Sequence, residues 1–103
     1  MNKYDKVNAI KELIDAPNTS EKYYDLLENM GDLKTDYHTY ATTEPINCDK
    51  ELERVPKADY ELCTALLTMI LREDHFSNGS FERRQRIGQV NAILKRMIET
   101  LTE

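Results

Sequence analysis

The chain has 103 residues and a formal net charge of −5; 40% of its residues are hydrophobic and 32% are charged. This length predicts one domain over residues 1–103, large enough to bury one core. Only three Gly and three Pro occur, which disfavours a turn-rich all-β fold. The acidic total argues against a protein whose main task is binding nucleic acid, because phosphate contacts need clustered Lys and Arg.

The two cysteines and the amino-terminal segment indicate a cellular compartment. Cys48 and Cys63 lack the spacing of a redox or metal motif, so we expect two free thiols in a reducing environment. The first ten residues contain no apolar region of the kind that signal peptides carry. No apolar run is long enough to span a bilayer. We therefore expect a cytoplasmic protein that makes no membrane contact.

The first thirty residues show two helical patterns. Apolar residues at three- and four-residue spacing predict a helix over 3–15, which a proline then ends. Thr19 or Ser20 can cap a second helix that runs to Met30, because a hydroxyl oxygen there accepts a hydrogen bond from a free backbone N–H. The stripes comprise Tyr4, Val7, Ile10 and Ile14 in the first helix, and Tyr23, Leu26, Leu27 and Met30 in the second. Gly31 then predicts a left-handed stop.

Residues 32–56 show no sustained period, so we interpret them as a long connection with one short helix near 48–54. A loop of this length is unusual in a compact domain unless it is packed down or functional. Tyrosines lie in and around this segment and could either pack in the core or form a recognition surface. Packing is the favoured interpretation. These tyrosines are Tyr23, Tyr24, Tyr37, Tyr40 and Tyr60.

The third predicted helix begins at Ala58 or Asp59, with Asp59 as a plausible N-cap, and ends at Asp74. Its apolar residues cover about half of the helix circumference. A stripe of this width predicts contacts on two sides and therefore a central position. Leu62, Cys63, Leu66, Met69 and Ile70 form the middle of the stripe.

The final segment contains a predicted break. The sequence Ser77-Asn78-Gly79 ends the third helix, and Ser80 can cap the next one. One continuous helix from there would place two unpaired arginines inside the apolar stripe, which is costly. A bend at Gly88 avoids this and gives helices over 80–87 and 89–101. The fold class is therefore all-α, a compact bundle of four or five helices with a long irregular middle connection.

Charged residues cluster on both sides of the Ser-Asn-Gly turn. Glu73 and Asp74 lie at the carboxyl end of the third helix, where the helix dipole disfavours negative charge. Arg83 and Arg86, just across the turn, would be costly to bury without a partner. We predict an ion-pair network across the turn, with five separately solvated charges as the alternative. Its members would be Arg72, Glu73, Asp74, Arg83 and Arg86.

Few residues suggest catalysis. His75 follows Asp74, an arrangement that can tune a general base, but a helix-terminal histidine favoured by the dipole is the preferred interpretation. A metal site would need His38 to converge with His75 and carboxylates, which sequence spacing does not show. Cys63 is expected in the core, and Cys48 is expected to be a loop thiol that nothing activates. We therefore expect no catalytic residue, no metal and no cofactor.

A basic cluster near the carboxyl end supports a nucleic-acid alternative. Residues 80–103 carry five basic and three acidic residues, a net of +2, whereas the rest of the chain carries −7. The cluster comprises Arg83, Arg84 and Arg86, followed by Lys95 and Arg96. Acidic residues interrupt it, so a role as a nucleic-acid modulator ranks below protein binding, and nucleic acid is not the expected partner.

The carboxyl-terminal half also resembles a known family. The residues that carry the resemblance are Ala58-Asp59-Tyr60-Glu61, Ala65-Leu66-Leu67-Thr68, Arg72-Glu73-Asp74-His75-Phe76-Ser77-Asn78-Gly79, Gly88 and Ile93-Leu94-Lys95-Arg96-Met97. They are similar to domain-of-unknown-function family 6508, short uncharacterised bacterial proteins, over residues 57–101. The resemblance implies a bacterial or mobile-element origin and a helical fold, and it implies no reaction. Met97 stands where the family usually has Leu, a change of little volume.

The sequence thus predicts a non-enzymatic protein-interaction or accessory module with a protein partner, with self-association as one form of this role. A small enzyme or ligand-binding protein built around Arg72, Asp74 and His75 is the first alternative. The candidate binding residues are Arg72, Asp74, His75, Phe76, Asn78, Arg83 and Arg86. An exposed apolar or tyrosine-rich patch would distinguish the interaction module from the alternatives.

Overall fold

The computed structural model describes residues 1–103 and confirms the all-α class, because it contains helices and no strand. The α-helices are α1 (Lys3–Leu13), α2 (Ser20–Met30), α3 (Cys48–Glu51), α4 (Tyr60–Phe76), α5 (Ser80–Arg86) and α6 (Gln89–Thr102). Two 3-10 helices span Tyr37–Tyr40 and Leu52–Lys57. Because α3 is a single turn within the middle connection, the remaining five helices agree with the predicted bundle. None of the helices combines the length and apolar character needed to cross a membrane.

Helix ends agree with the sequence where a side chain caps them. Asp59 is the N-cap of α4, and its Oδ1 accepts a hydrogen bond from the backbone N–H of Leu62 at 2.8 Å. Helix α1 ends two residues earlier than predicted. The chain leaves the helix at Ile14, whose ψ of 131° is extended, and Asp15 then adopts a φ of +59° and pairs with Asn91 on α6. Its backbone N–H donates to Asn91 Oδ1 at 3.2 Å.

Two predicted hydroxyl caps are wrong. Thr19 occupies the N-cap position of α2, but its side chain makes no capping hydrogen bond. Gly79 is the N-cap of α5, in a left-handed conformation at a φ of +89°, and the helix starts at residue 80, as predicted. Ser80 is consequently the first helical residue, and its buried Oγ has no hydrogen-bond partner.

Helix α4 is the centre of the bundle, as predicted. Every residue from Cys63 to Leu71 is buried, so this stretch is covered on all sides. The two hydroxyls within it are satisfied locally, since Thr64 donates to the Glu61 carbonyl at 2.7 Å and Thr68 donates to the Thr64 carbonyl at 2.8 Å. Helices α2, α3, α5 and α6 all pack against α4.

The predicted bend at Gly88 is confirmed. Gly88 lies between α5 and α6 with a φ of +87°, a left-handed conformation that glycine adopts without strain. The bend lets α6 bury its own stripe, Val90, Ile93, Leu94 and Met97. Because α5 and α6 are separate helices, the directions of the α5 arginines are not fixed by the apolar stripe of α6.

The middle connection is held by a buried carboxylate. Glu51 at the end of α3 is fully buried. It accepts hydrogen bonds from the backbone N–H and the hydroxyl of both Thr42 and Thr43, at 2.6–2.9 Å. Arg54 Nη1 lies 2.9 Å from the same carboxylate. These contacts fasten the chain between the 3-10 helix Tyr37–Tyr40 and α3, so the long connection is packed rather than free.

A buried guanidinium joins four helices. Arg84 on α5 is 1% exposed. Its Nε and Nη2 donate to the two carboxylate oxygens of Glu73 on α4, at 2.7 and 2.9 Å. Its Nη1 donates to Asp49 on α3 at 2.8 Å and to Gln89 on α6 at 2.7 Å. The two-point contact holds the pKa of the Glu73 carboxyl below its usual range.

The predicted ion-pair network is therefore wrong in all but one of its members, because only Glu73 forms an ion pair across the turn and Asp74 forms none. Glu73 pairs with Arg84, which the prediction left out. Arg86 pairs with Glu82 within α5 at 3.5 Å, and both of these side chains are exposed. Neither Arg72 nor Arg83 takes part in an ion pair. The turn at Gly79 decides which arginine of the short helix α5 faces the bundle.

Burial alone would raise the pKa of Glu51, but its hydrogen bonds outweigh burial and lower it from 4.5 to about 2. Because the folded-state pKa is depressed, the ionised carboxylate stabilises the protein above about pH 4.5, and this contribution is lost as the pH falls toward 2. Glu51→Gln should lower the free energy of unfolding at pH 7 by about 3 kcal/mol. Urea unfolding should show this difference shrinking by about half at pH 3. The exposed control Glu53→Gln should match the wild type at both values, and an undiminished Glu51→Gln deficit at pH 3 would contradict this role.

Arg84→Met should lower the free energy of unfolding by about 3–5 kcal/mol, because it leaves the Glu73 carboxylate without its partner. Arg83→Met changes an exposed neighbour in the same helix and should stay within about 0.5 kcal/mol of the wild type. The double variant Arg84→Met with Glu73→Leu should be less destabilised than Arg84→Met alone, since no uncompensated charge remains. Denaturant unfolding measures all three, and equal effects at positions 83 and 84 would refute the assignment.

Candidate functional site

The carboxyl end of α4 presents an aromatic ring to solvent. Phe76 is 91% exposed, the largest exposure among the large hydrophobic side chains of the chain. The others are Tyr4 on α1, Met1 and Ile87, which lie in separate elements. Full exposure of a phenylalanine is unfavourable in water. The Phe76 ring therefore makes little contact with the rest of the protein and leaves its apolar surface exposed.

An apolar groove lies beside Phe76. Its volume is about 260 Å³, and it opens between α4, the start of α3 and the 3-10 helix Tyr37–Tyr40. We define the apolar groove by its lining residues Tyr37, Ile46, Cys48, Met69, Arg72, Glu73, Phe76 and Ser77. Among the lining residues, Cys48 and Met69 belong to the buried core, and Tyr37 and Ile46 pack partly against it.

A second aromatic pair borders the same end of α4. The Tyr24 hydroxyl lies 3.3 Å from His75 Nε2, and the two rings meet edge to face with centroids 6.2 Å apart. Burial raises the pKa of Tyr24, while the nearby Arg72 charge acts in the opposite direction. Helices α2 and α4 therefore place a tyrosine, a histidine and an arginine together.

Arg72 is the one charge lining the apolar groove that has no partner inside the protein. Its side chain is exposed and joins no ion pair. Glu73, the other charged residue of the groove, uses both carboxylate oxygens on Arg84. We call Tyr24, Tyr37, Arg72, His75 and Phe76 the aromatic surface. Aromatic side chains and arginine are the residues most enriched at protein interfaces.

The other candidate residues of this region face elsewhere. Asp74 accepts a hydrogen bond from the backbone N–H of Phe81 at 3.1 Å, which ties α4 to α5. It also lines a larger polar cleft of about 560 Å³ together with Asn78. No single pocket is therefore lined by all three of Arg72, Asp74 and His75, although Arg72 and His75 both lie near Tyr24. Arg72 faces the apolar groove, Asp74 faces the polar cleft, and His75 borders neither of the two.

The polar cleft is open and lies between the start of α2 and the turn before α5. Its lining residues are Pro17, Asn18, Thr19, Ser20, Asp74, Asn78, Gly79, Phe81, Glu82 and Gln85. Gln85 donates to the Asn18 carbonyl at 2.9 Å and to the Tyr23 hydroxyl at 3.0 Å, so it braces the cleft internally. The cleft gathers no set of titratable groups suited to catalysis.

The basic cluster does not form one positive surface. Its middle member Arg84 is buried and neutralised, whereas Arg83 and Arg86 are exposed. Arg96 is also engaged, because its Nε donates to the Ala58 carbonyl at 2.8 Å. Arg83 and Arg86 lie three residues apart on α5, but Arg86 is 3.5 Å from Glu82, which leaves Arg83 as the one guanidinium of Arg83, Arg84 and Arg86 without an ion pair.

Both thiols are buried and protonated. Cys63 lies in the core, as predicted. The prediction that Cys48 is a loop thiol is wrong, because it begins α3 and is 7% exposed. Burial raises the pKa of each thiol to about 12. A protonated thiol is a poor nucleophile, so neither cysteine is suited to covalent catalysis.

Sequence reasoning missed part of the groove. Ile46 lies in a polar stretch and gives no periodic signal, and Met69 belongs to the core stripe of α4 and also reaches the groove. The tyrosines do not behave as one group: neither packing in the core nor a recognition surface describes all of them. Tyr23 is buried against Phe81 with ring centroids 5.0 Å apart, whereas Tyr24 and Tyr37 are only partly buried.

Comparison with known proteins gives one match. The model of a family of unknown function, DUF6508, matches residues 3–103. The match thus includes the first thirty residues, beyond the stretch 57–101 that carries the resemblance in sequence. No curated protein and no solved structure matches the chain.

Proposed function

The chain belongs to DUF6508, a family of unknown function, and we propose from its geometry that it is a non-enzymatic protein-interaction module. The aromatic surface is the contact region. The observation that carries this proposal is Phe76, a 91% exposed ring at the rim of an apolar groove. Two buried free thiols support a cytoplasmic location, and the resemblance supports a bacterial origin.

The surface has the chemistry of an interface centre. Aromatic side chains and arginine are enriched at protein interfaces, and a few residues near the centre supply most of the binding energy. Phe76 would bury its exposed area in a partner, and the neighbouring groove would receive an apolar side chain in return. Because Cys48 and Met69 of the groove are already buried in the core, binding there requires little additional ordering of these two side chains.

The enzymatic alternative gains no support from the geometry. It requires Arg72, Asp74 and His75 in one cleft, and neither the apolar groove nor the polar cleft is lined by all three. The nucleic-acid alternative loses Arg84, which is buried. Binding of a protein partner therefore remains the function that the arrangement favours.

Phe76→Ser should abolish partner binding without affecting the fold, because a 91% exposed ring contributes little to the core. The measurement is quantitative affinity capture from the native host, comparing wild type and variant at equal loading. We expect one or more proteins to be retained by the wild type and reduced about tenfold or more with Phe76→Ser.

Tyr4→Ser is the matched control. It also removes an exposed aromatic ring, 79% exposed on α1, far from α4 in sequence. This variant should retain the same proteins as the wild type. Equal recovery with all three baits would refute an interface at the aromatic surface, and equal loss with both variants would show non-specific adhesion to exposed rings.

A further inference from the structure

Arg72 forms no ion pair within the protein, and its charge limits which partner segments can bind beside it. Among the residues that line the apolar groove, the two charged ones are Arg72 and Glu73. Both oxygens of Glu73 are occupied by Arg84, at 2.7 and 2.9 Å. Arg72 is therefore the lining charge that forms no ion pair, although the chain as a whole carries −5. Because salt screens charges beyond about 8 Å, the local charge governs a contact at this site.

The spacing of Arg72 and Phe76 specifies what a partner must place there. They are four residues apart in α4, so they lie on the same face, with their Cβ atoms about 6 Å apart. A partner that uses both must present a carboxylate and a bulky apolar side chain at a similar separation. Side chains one turn apart on a helix have this separation. A groove of about 260 Å³ accommodates one or two side chains and not a whole helix.

Building on the proposed function, we propose that the apolar groove binds a helical segment of a partner protein that carries a carboxylate and a bulky apolar side chain one turn apart. The carboxylate pairs with the Arg72 guanidinium, and the apolar side chain packs between Phe76 and the groove floor. The Arg72 contact supplies specificity, since a basic segment would place like charges together.

A second copy of this chain fits the same surface poorly. In a two-fold contact only residues near the axis meet their own copies, and a contact centred on the apolar groove would place the two Arg72 side chains near that axis. The groove offers no free carboxylate to neutralise them, because Glu73 is already paired. Asp74 is turned to the backbone of Phe81 on the other side of the helix end. Charge complementarity therefore favours a different, acidic partner segment.

The test is selection of peptides on the purified full-length chain. The probe is a phage library of random peptides about four helical turns long. Selection on the wild type should enrich peptides with Asp or Glu three or four positions from a bulky apolar residue. Selection on Arg72→Glu should switch the charged position to Lys or Arg. Lys95→Glu makes the same charge change at an exposed site on α6 and should keep the acidic preference.

Affinity measurements on the enriched peptides complete the test. Phe76→Ser and Arg72→Glu should each weaken binding about tenfold or more, as measured by fluorescence anisotropy. Failure to enrich any peptide, or enrichment without an acidic preference that switches with Arg72→Glu, would overturn the inference. If host proteins are still captured through Phe76, the proposed function stands while this inference fails. A dimer in light scattering that Phe76→Ser dissociates would also overturn it, because the occupant would then be a second copy.

Discussion

The contact between Arg84 and Glu73 is the interaction on which the rest of the architecture depends. A guanidinium that is 1% exposed has lost nearly all of its hydration, so it requires full compensation from the protein. Three of its nitrogens donate four hydrogen bonds, and these reach residues on α3, α4 and α6. The fork geometry of arginine makes this bridging possible, and lysine would not reproduce it.

This contact also shapes the candidate site. It ties the end of α4, which carries Phe76, to α3, whose first residue Cys48 lines the apolar groove. By occupying both oxygens of Glu73, Arg84 leaves Arg72 as the free charge of the groove. The buried ion pair thus joins two elements that border the aromatic surface. Preorganised apolar sites with a few placed polar groups bind selectively, because little conformational freedom is lost on binding.

Much of the bundle was predictable because long helices impose a clear period. The stripes of α4 and α6 identified the core, and Leu66, Ile70, Val90, Leu94 and Met97 are all buried. The bend at Gly88 was predicted because one continuous helix would have placed two arginines inside the apolar stripe, and not from the glycine alone. Helix α5 was harder because seven residues are too few to show a period. The orientation of its arginines depends on the turn at Gly79, so the sequence pointed to Arg83 and Arg86 instead of Arg84. The contacts of Glu51 with Thr42 and Thr43 likewise depend on a fold of the middle connection that no local pattern encodes.

The candidate site was predictable in part. Arg72 and Phe76 were among the candidate residues, but the groove beside them needs Tyr37 and Ile46, which tertiary packing brings to α4. The central claim is that Arg84 holds α3 and the end of α4 together. Hydrogen–deuterium exchange of the wild type and Arg84→Lys tests it most directly, since lysine keeps the charge and loses the fork. We expect faster exchange in α3 and at the carboxyl end of α4, with α1 unchanged. Exchange that is the same in both proteins, or that rises equally in every helix, would contradict the claim.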